Sequence, residues 1–343
     1  MKNKTFWQKL KEYFLIYLPK QRNSSEKTLD TYKNAWNLLL RYMINDCKIS
    51  PSDINYGSFS KEVINSFLDS LEKNRSWKPT TRNNRLNCIR SFFKYAGSNC
   101  PEAYVVYTDL RAIPEKKGIN KSHVVDYMSE DAVAAIINGI DCNSKQGLRD
   151  RFFITLMYDT AARDGEMLQL KLSDINMDNS TIYLLGKGSK IRIVPLSKKT
   201  LDMFGEYKKV YHEYSTQNEL LFYTIHKREK TAMSDDNVAR FLSSHASMAR
   251  KTNKNVPAKV HPHMIRHSRA MHLYRNGMPL SVLSEFLGHE NPETTLIYAY
   301  ADTEMKREAI LKATSKHVFD EKEAEIPIWD KKSDIIDRLI RGF

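Results

Sequence analysis

The chain has 343 residues, a length that predicts about two domains, each large enough to bury its own core. Lysine and arginine (54) outnumber aspartate and glutamate (41) by 13, while a hydrophobic content of 41% excludes disorder as the main state. No apolar run is long enough for a membrane span or a secretory signal, and the cysteines lack Cys-x-x-Cys spacing, so we predict a cytoplasmic protein with reduced thiols.

A helical first domain is predicted over residues 1–112. Apolar residues recur every three or four positions through residues 29–43, which is typical of a helix with one buried face. A second helix begins at Pro79, because proline suits a first helical turn, and shorter helices are predicted over residues 6–17 and 60–71. The pattern indicates a bundle of four or five helices.

The outward faces of these helices carry polar and basic side chains. An excess of positive charge indicates a polyanionic partner such as DNA, although solubility alone also accounts for it. If DNA is the partner, the residues expected to contact it are Lys33 on the first long helix and Asn83, Arg90 and Lys94 on the second.

Two segments of different composition bound the second domain, predicted over residues 126–319. Residues 113–125 combine proline, glycine and clustered charge without a sustained period, which predicts an interdomain linker. The tail, residues 320–343, is acidic at first, and apolar residues between Ile335 and Ile340 predict a short amphipathic helix. Such a helix needs a partner surface, on its own domain or on a neighbouring protomer.

Within the second domain, helices are predicted from about Ser129 and over residues 148–162. Two strands, residues 181–185 and 191–196, alternate apolar and polar residues around Gly-Lys-Gly-Ser and predict a hairpin. Residues 201–313 return to helical patterns. The predicted fold class is therefore mostly α with a small antiparallel β-sheet.

Six polar residues of this domain stand out together: Arg163, Lys187, His263, Arg266, His289 and Tyr298. Each one alone has a structural explanation, since an arginine at a helix end is usually a solvated cap and a lysine in a turn is usually only a turn residue. His263 and Arg266 lie three residues apart and therefore share one helix face.

In order and spacing, these six residues resemble the tyrosine recombinase (phage integrase) family. The words Gly-Lys-Gly-Ser-Lys-Ile-Arg-Ile-Val-Pro-Leu, His-x-x-Arg-His and Leu-Gly-His followed by Thr-Thr-x-Ile-Tyr are similar to its motifs. The resemblance spans residues 24–313 and implies a helical core-binding domain and a mixed α+β catalytic domain that form a C-shaped clamp around duplex DNA. It implies a site-specific recombinase of the Xer-like or mobile-element type.

The residue types fit that chemistry. Guanidinium groups bind phosphate oxygens bidentately, so Arg163 and Arg266 are assigned to a phosphate clamp. A phenol of pKa near ~10 is mostly protonated at neutral pH, so Tyr298 must lose its proton during attack, and His263 is the expected acceptor. Lys187 would protonate the departing 5′-oxygen.

Two further residues are given supporting tasks. His289 would hydrogen-bond the phosphate, and Glu166, as the family pattern suggests, would buttress the clamp. Asp164 departs from the family pattern and is expected to face away, because adjacent helical residues point apart. No cofactor and no metal ion is predicted, since cationic side chains do the work that Mg²⁺ does in two-metal nucleases.

Competing site interpretations are weaker. Lys187 is followed by glycine and then by a strand, which disfavours a nucleotide-binding loop. A zinc site is disfavoured because no cysteines accompany the histidines, which are His261, His263, His267 and His272.

The predicted activity is cutting and rejoining of duplex DNA through a 3′-phosphotyrosyl intermediate, in the integration, excision or transposition of a mobile element. The alternatives are Xer-like resolution of chromosome or plasmid dimers, a catalytically inert DNA-binding protein, and a type IB topoisomerase. The expected partners are double-stranded DNA, three further copies of the chain in a homotetramer on two DNA sites, and an accessory directionality protein. Such a protein would associate with the nucleoid.

Overall fold

The computed structural model describes residues 2–75, 77–116, 125–186, 190–301, 307 and 310. The chain divides into two units, Met1–Asn120 and Lys121–Phe343. Over the described ranges, no helix is both long enough and apolar enough to cross a membrane. The tail expected at residues 320–343 and Lys187 lie outside these ranges, as do residues 117–124 of the expected linker.

Helices build the first unit. They are α1 (Lys2–Glu12) continued by a π-helix (Tyr13–Gln21), then α2 (Glu26–Asn45), α3 (Lys61–Arg75), α4 (Pro79–Gly97) and α5 (Pro101–Arg111). Ser25 caps α2, because its side-chain oxygen accepts a hydrogen bond from the backbone N–H of Thr28. Proline opens both α4 and α5, where its missing N–H costs nothing. The sequence did not single out α5.

Large aromatic side chains fill the core of this unit. The fully buried ones include Phe6, Trp36, Phe59, Phe92 and Phe93. The ring of Trp36 meets that of Phe92 edge to face with centroids 4.9 Å apart, a favoured aromatic geometry. The helical stripe predicted on residues 29–43 supplies Trp36, so the expected inward face of α2 is confirmed.

The second unit is mostly helical with two small sheets. Its helices are α6 (Glu130–Asn138), α7 (Lys145–Thr160), α8 (Asp164–Met167), α9 (Lys198–Tyr211), α10 (Asp235–Thr252), α11 (Pro262–Arg275), α12 (Leu280–Leu287) and α13 (Leu296–Ala301). Its strands are β1 (Ile175–Asn176), β2 (Thr181–Leu185), β3 (Ile191–Pro195), β4 (Tyr223–His226) and β5 (Glu229–Ala232). The predicted fold class, mostly α with a small antiparallel sheet, is confirmed.

The sheet formed by β1, β2 and β3 is antiparallel, in that spatial order. Ile182 pairs with Val194, and both side chains are fully buried. Alternate residues of β3 differ in exposure, and Ile191 and Ile193 are 66% and 59% exposed. The strand therefore turns Arg192 and Val194 towards the interior, and Arg192 has a partner there.

The second hairpin, β4 with β5, corrects the expectation that residues 201–313 are entirely helical. Its two central turn residues, Lys227 and Arg228, have φ angles of 49° and 71°. Glycine or asparagine usually fills such positions and supplies the sequence signal for a hairpin. Because a lysine and an arginine stand there instead, the signal is missing.

Helix α7 runs through the core of the second unit and delivers the chain to the site. Most of its residues are buried, and it packs against α9 and α11. It ends at Ala161, which adopts a left-handed conformation with φ of 48°. The chain turns there, and Arg163 becomes the residue that precedes α8.

Candidate active site

Arg163 is held by Glu166. One carboxylate oxygen of Glu166, Oε2, accepts a hydrogen bond from the backbone N–H of Arg163 at 2.8 Å, and Oε1 accepts from Nη1 of the same arginine at 2.8 Å. Nη2 of Arg163 donates to the carbonyl oxygen of Gly288 at 3.3 Å. Glu166, predicted to support Arg163, thus lies in direct contact with it.

A second arginine, Arg192 on β3, shares the same carboxylate. Its Nη1 and Nη2 donate to Oε1 and Oε2 of Glu166 at 2.9 and 2.8 Å, and its Nε donates to the carbonyl oxygen of Phe286 at 3.0 Å. Burial opposes ionisation of Glu166, but the hydrogen bonds and charge of Arg192, with the donors of Arg163, outweigh it and lower the pKa to about 2.

Arg266 ties three segments together from α11. Its Nη1 donates to the carbonyl oxygen of Ala161 and its Nη2 to that of Leu287, each at 2.7 Å. Burial, followed by the charge of Arg163, lowers the pKa of Arg266 to about 10. The guanidinium therefore stays charged at neutral pH, with three of its five N–H donors left for a ligand.

Tyr298 lies on α13 with no exposed surface. Its hydroxyl is 3.0 Å from Nδ1 of His267. Burial raises the pKa of Tyr298 to about 12, although the charges of Arg266 and Arg163 act in the opposite direction. The phenol is therefore protonated at neutral pH, and it needs a proton acceptor before it can attack.

Two imidazoles of the site are neutral at pH 7. Burial first, then the positive side chains nearby, lowers the pKa of His267 and of His289 to about 4. His289 follows Gly288, which ends α12 in the left-handed conformation with φ of 62°, and its Nδ1 is 2.8 Å from Oγ1 of Thr295.

His263, the predicted proton acceptor, is exposed one turn before His267, with ring centroids 6.4 Å apart. The structure thus places His267 in contact with the Tyr298 hydroxyl. The sequence analysis quoted His267 within the His-x-x-Arg-His motif and weighed it for zinc, but gave it no part in catalysis, and it gave no role to Arg192. The available signal was that His267 lies four residues after His263 and therefore on the same helix face.

An open cavity of about 660 Å³ adjoins these groups and is lined in part by Arg163, Arg192, Gly186 and His289. Gly186 marks the end of β2, where its N–H donates to the carbonyl oxygen of Lys190 at 2.7 Å and closes the hairpin. Lys187, predicted to serve as an acid, lies between them in the sequence and outside the described residues.

Other histidines of the zinc interpretation have different partners. Nδ1 of His261 accepts from the backbone N–H of Met264 and caps α11, and buried His272 contacts the Tyr158 hydroxyl at 2.8 Å. Where the structure describes the chain, no group of three or more potential ligands is arranged to hold a metal ion.

Both units of the chain contain residues that match known protein families. Residues 126–305 match the phage integrase family, and residues 12–99 match its N-terminal SAM-like domain. The chain belongs to the phage integrase family of tyrosine recombinases.

Relatives cover most of this recombinase. Integrase/recombinase y4rC of Sinorhizobium fredii is 29% identical over 89% of this chain and 90% of its own length. A tyrosine recombinase of Thermosipho africanus is 28% identical over 89% and 99%. A structure of the XerH site-specific recombinase bound to a palindromic difH substrate shares the fold, with a TM-score of 0.65 and 23% identity over 85% of this chain and 82% of that one.

In the N-terminal unit of the recombinase, the four residues predicted to contact DNA fall into two pairs. Lys33 and Lys94 are exposed, as expected. Asn83 and Arg90 are half-buried and bonded within the unit, and their contact with DNA stays a prediction. Asn83 exchanges two hydrogen bonds with the backbone of Lys116, at 2.9 and 3.1 Å.

Arg90 is bound more extensively. Its Nε donates to the carbonyl oxygen of Leu110 at 3.0 Å, and its Nη2 donates to that of Ile113. Nη1 lies 3.3 Å from the Glu115 carboxylate. The guanidinium thus fastens the chain after α5 to α4, a task that the helical pattern alone does not indicate.

Proposed function

We propose that this recombinase cuts one strand of duplex DNA by attack of the Tyr298 hydroxyl on a phosphodiester. The new O–P bond gives a 3′-phosphotyrosyl ester, and the bond from phosphorus to the 5′-oxygen breaks. The main support is the 3.0 Å contact between that hydroxyl and the neutral imidazole of His267. The guanidinium groups of Arg163 and Arg266 are close enough to act on the pKa of Tyr298. A free 5′-hydroxyl from another strand then attacks the ester, so the bond energy is kept and ATP is not needed.

The phosphate would be bound by Arg163 and Arg266. Negative charge grows on the non-bridging oxygens in the transition state, and guanidinium donors in a site with little water stabilise it most. Arg266 is already fixed by two carbonyl oxygens, and its remaining donors are available. His289, next to Gly288, would add a hydrogen bond to the same phosphate.

Proton transfer completes the step. The Tyr298 proton passes to an imidazole; His267 contacts the Tyr298 hydroxyl, and His263 is the acceptor predicted from the sequence. The leaving 5′-oxygen takes a proton from Lys187, which follows β2 in the sequence. Glu166 stays ionised throughout, because its pKa lies near 2, and keeps Arg163 oriented.

The partner we propose is double-stranded DNA, engaged by both domains, as the DNA complex of XerH supports. Recombination joins two sites with two cut strands at each, so the expected assembly is a homotetramer on two sites, with an accessory protein that sets direction. Such a complex would work on DNA in the cytoplasm, in association with the nucleoid.

The biological role we propose is movement of a mobile element, for which the support is the word integrase in the name of the y4rC relative. Excision would leave a circular junction, detectable by amplification outward from the two ends of the DNA segment that carries the gene. Dimer resolution predicts no such junction and, on deletion of the gene, the accumulation of chromosome or plasmid dimers.

Covalent capture tests the activity. The full-length protein is incubated with random-sequence duplexes that carry a nick, so that the 5′-hydroxyl diffuses away after cleavage and the adduct accumulates. The captured sequences then define a substrate. We expect a denaturation-resistant protein–DNA adduct, lost in Tyr298→Phe with duplex affinity retained. A protein that binds the duplex and forms no adduct is an inert DNA-binding protein, and relaxation of supercoils by a monomer indicates a topoisomerase.

A further inference from the structure

We infer that Arg192 is a positioning residue for DNA cleavage, which acts on Arg163 through Glu166 and on the His289 loop through Gly288. The inference rests on the proposed function. Arg192 lies on β3 and is not one of the six residues of the family pattern. The inference also explains why Arg192 faces the interior of the unit.

Arg192 connects three elements of the second unit. Arg192 meets the carboxylate with both terminal nitrogens, at 2.9 and 2.8 Å, in the fork geometry that fixes a carboxylate most firmly. The third donor, Nε, reaches the carbonyl oxygen of Phe286 near the end of α12. One side chain, 11% exposed, therefore connects β3, α8 and the end of α12.

The charge of Glu166 is balanced by both arginines. Glu166 contacts Arg163 at the same time as Arg192, and its side chain is only 5% exposed. With Arg192 present, the negative charge of the Glu166 carboxylate is divided between two guanidinium groups. Arg163 is then only partly neutralised and can also bind a phosphate. Without Arg192, the whole negative charge would pair with Arg163, which would then be drawn away from the substrate.

Arg192 also packs against the loop that carries His289. A Cβ atom built on Gly288 would lie 3.1 Å from both Cδ and Nη1 of Arg192, so the guanidinium packs directly on this glycine. The carbonyl oxygen of Gly288 accepts from Arg163. Arg192 thus forms one wall of the position from which His289 projects.

The test measures single-turnover cleavage of the captured nicked duplex by the full-length protein. We expect Arg192→Met to cleave about 10²-fold more slowly, a loss typical of a disrupted oxyanion contact, with duplex affinity within about threefold. Adding Glu166→Gln should recover about tenfold of the lost rate, because the unpaired charge that captures Arg163 is then removed. If Arg192 has only a structural role, the double variant should instead cleave more slowly than Arg192→Met.

Controls keep the result interpretable. Arg228→Met makes the same change at the exposed tip of the β4–β5 hairpin and should cleave normally. Should Arg192→Met fail to fold, Arg192→Lys keeps the charge without the fork, and we expect about tenfold slower cleavage from it. Normal cleavage by a folded Arg192 variant, or a double variant slower than Arg192→Met, overturns the inference alone. Absence of any adduct with the unmodified protein overturns the proposed function as well.

Discussion

The hydroxyl oxygen of Tyr298 lies 3.0 Å from Nδ1 of His267, within hydrogen-bonding distance, at a position with no solvent exposure. Donation to Nδ1 requires the neutral imidazole with its proton on Nε2. The imidazole is neutral at pH 7, because burial and the nearby charges lower the pKa of His267 to about 4.

The two histidines of α11 should therefore differ in their effect on catalysis. We expect His267→Gln to slow single-turnover cleavage about 10²-fold, since general-base catalysis contributes roughly 10²–10⁴-fold, and His263→Gln to slow it less. Both variants should bind the duplex normally. If His263→Gln is the more damaging change, the proton acceptor is His263 and His267 only orients the phenol.

Cleavage should have an acid limb set by His267. The imidazole accepts a proton only when unprotonated, so the rate should fall as pH drops through about 4 and depend little on this group above pH 5. His289 titrates in the same range, so the comparison that isolates His267 is the pH profile of His267→Gln. An unchanged acid limb in that variant assigns it to another group.

Glu166 should make the second unit sensitive to strong acid. Its pKa in the folded protein is lowered to about 2 from 4.5, so its contribution is complete above pH 4.5 and is lost as pH falls towards 2. The shift corresponds to about 3 kcal/mol of unfolding free energy. Denaturant titrations at several pH values should show this loss in the unmodified protein and not in Glu166→Gln. Parallel pH curves would contradict it.

Arg90 should stabilise the first unit. Arg90→Met removes hydrogen bonds to two backbone carbonyl oxygens, which we expect to cost about 1–3 kcal/mol of unfolding free energy. Lys94→Met, on an exposed position one turn later, should change stability by less than about 0.5 kcal/mol. Weaker duplex binding by Arg90→Met at unchanged stability would instead support its predicted contact with DNA.

Lys33 and Lys94 are the exposed candidates for phosphate contact. Each substitution by alanine should weaken duplex binding and reduce the slope of log affinity against log salt by about 1, because one fewer counterion is released. Lys61→Ala, an exposed lysine at the start of α3, is the matched control and should leave the slope unchanged. Equal slopes for all variants would remove both lysines from the interface.

Helical periodicity and the residues typical of helix starts predicted much of the fold. Pro79 and Ser129 mark helix starts that the structure reproduces, and the stripe on α2 is buried as expected. The order of arginines, histidines and tyrosine in the sequence predicted side chains that lie near the cavity, because such groups cluster where a charged ligand binds. These signals are local, so a single sequence contains them.

The features that the sequence did not predict depend on contacts between residues far apart in the chain. On β3, the alternation alone does not show which face is inward; the buried carboxylate of Glu166 needs a counter-charge, and Arg192 faces it. Arg90 follows an outward helical pattern, yet the carbonyl oxygens of Leu110 and Ile113, in and beyond the last turn of α5, accept its hydrogen bonds. His263 and His267 share a helix face, and only the placement of α13 decides which one meets Tyr298.

Arg266 has a further consequence for how relatives are judged. Its two bonds to backbone carbonyl oxygens hold together the end of α7 and the end of α12 without any DNA. A descendant that lost catalysis and kept its shape would still need that arginine. Its retention in a sequence therefore says little about whether strand exchange survives, and the phenol at position 298 is the more informative marker.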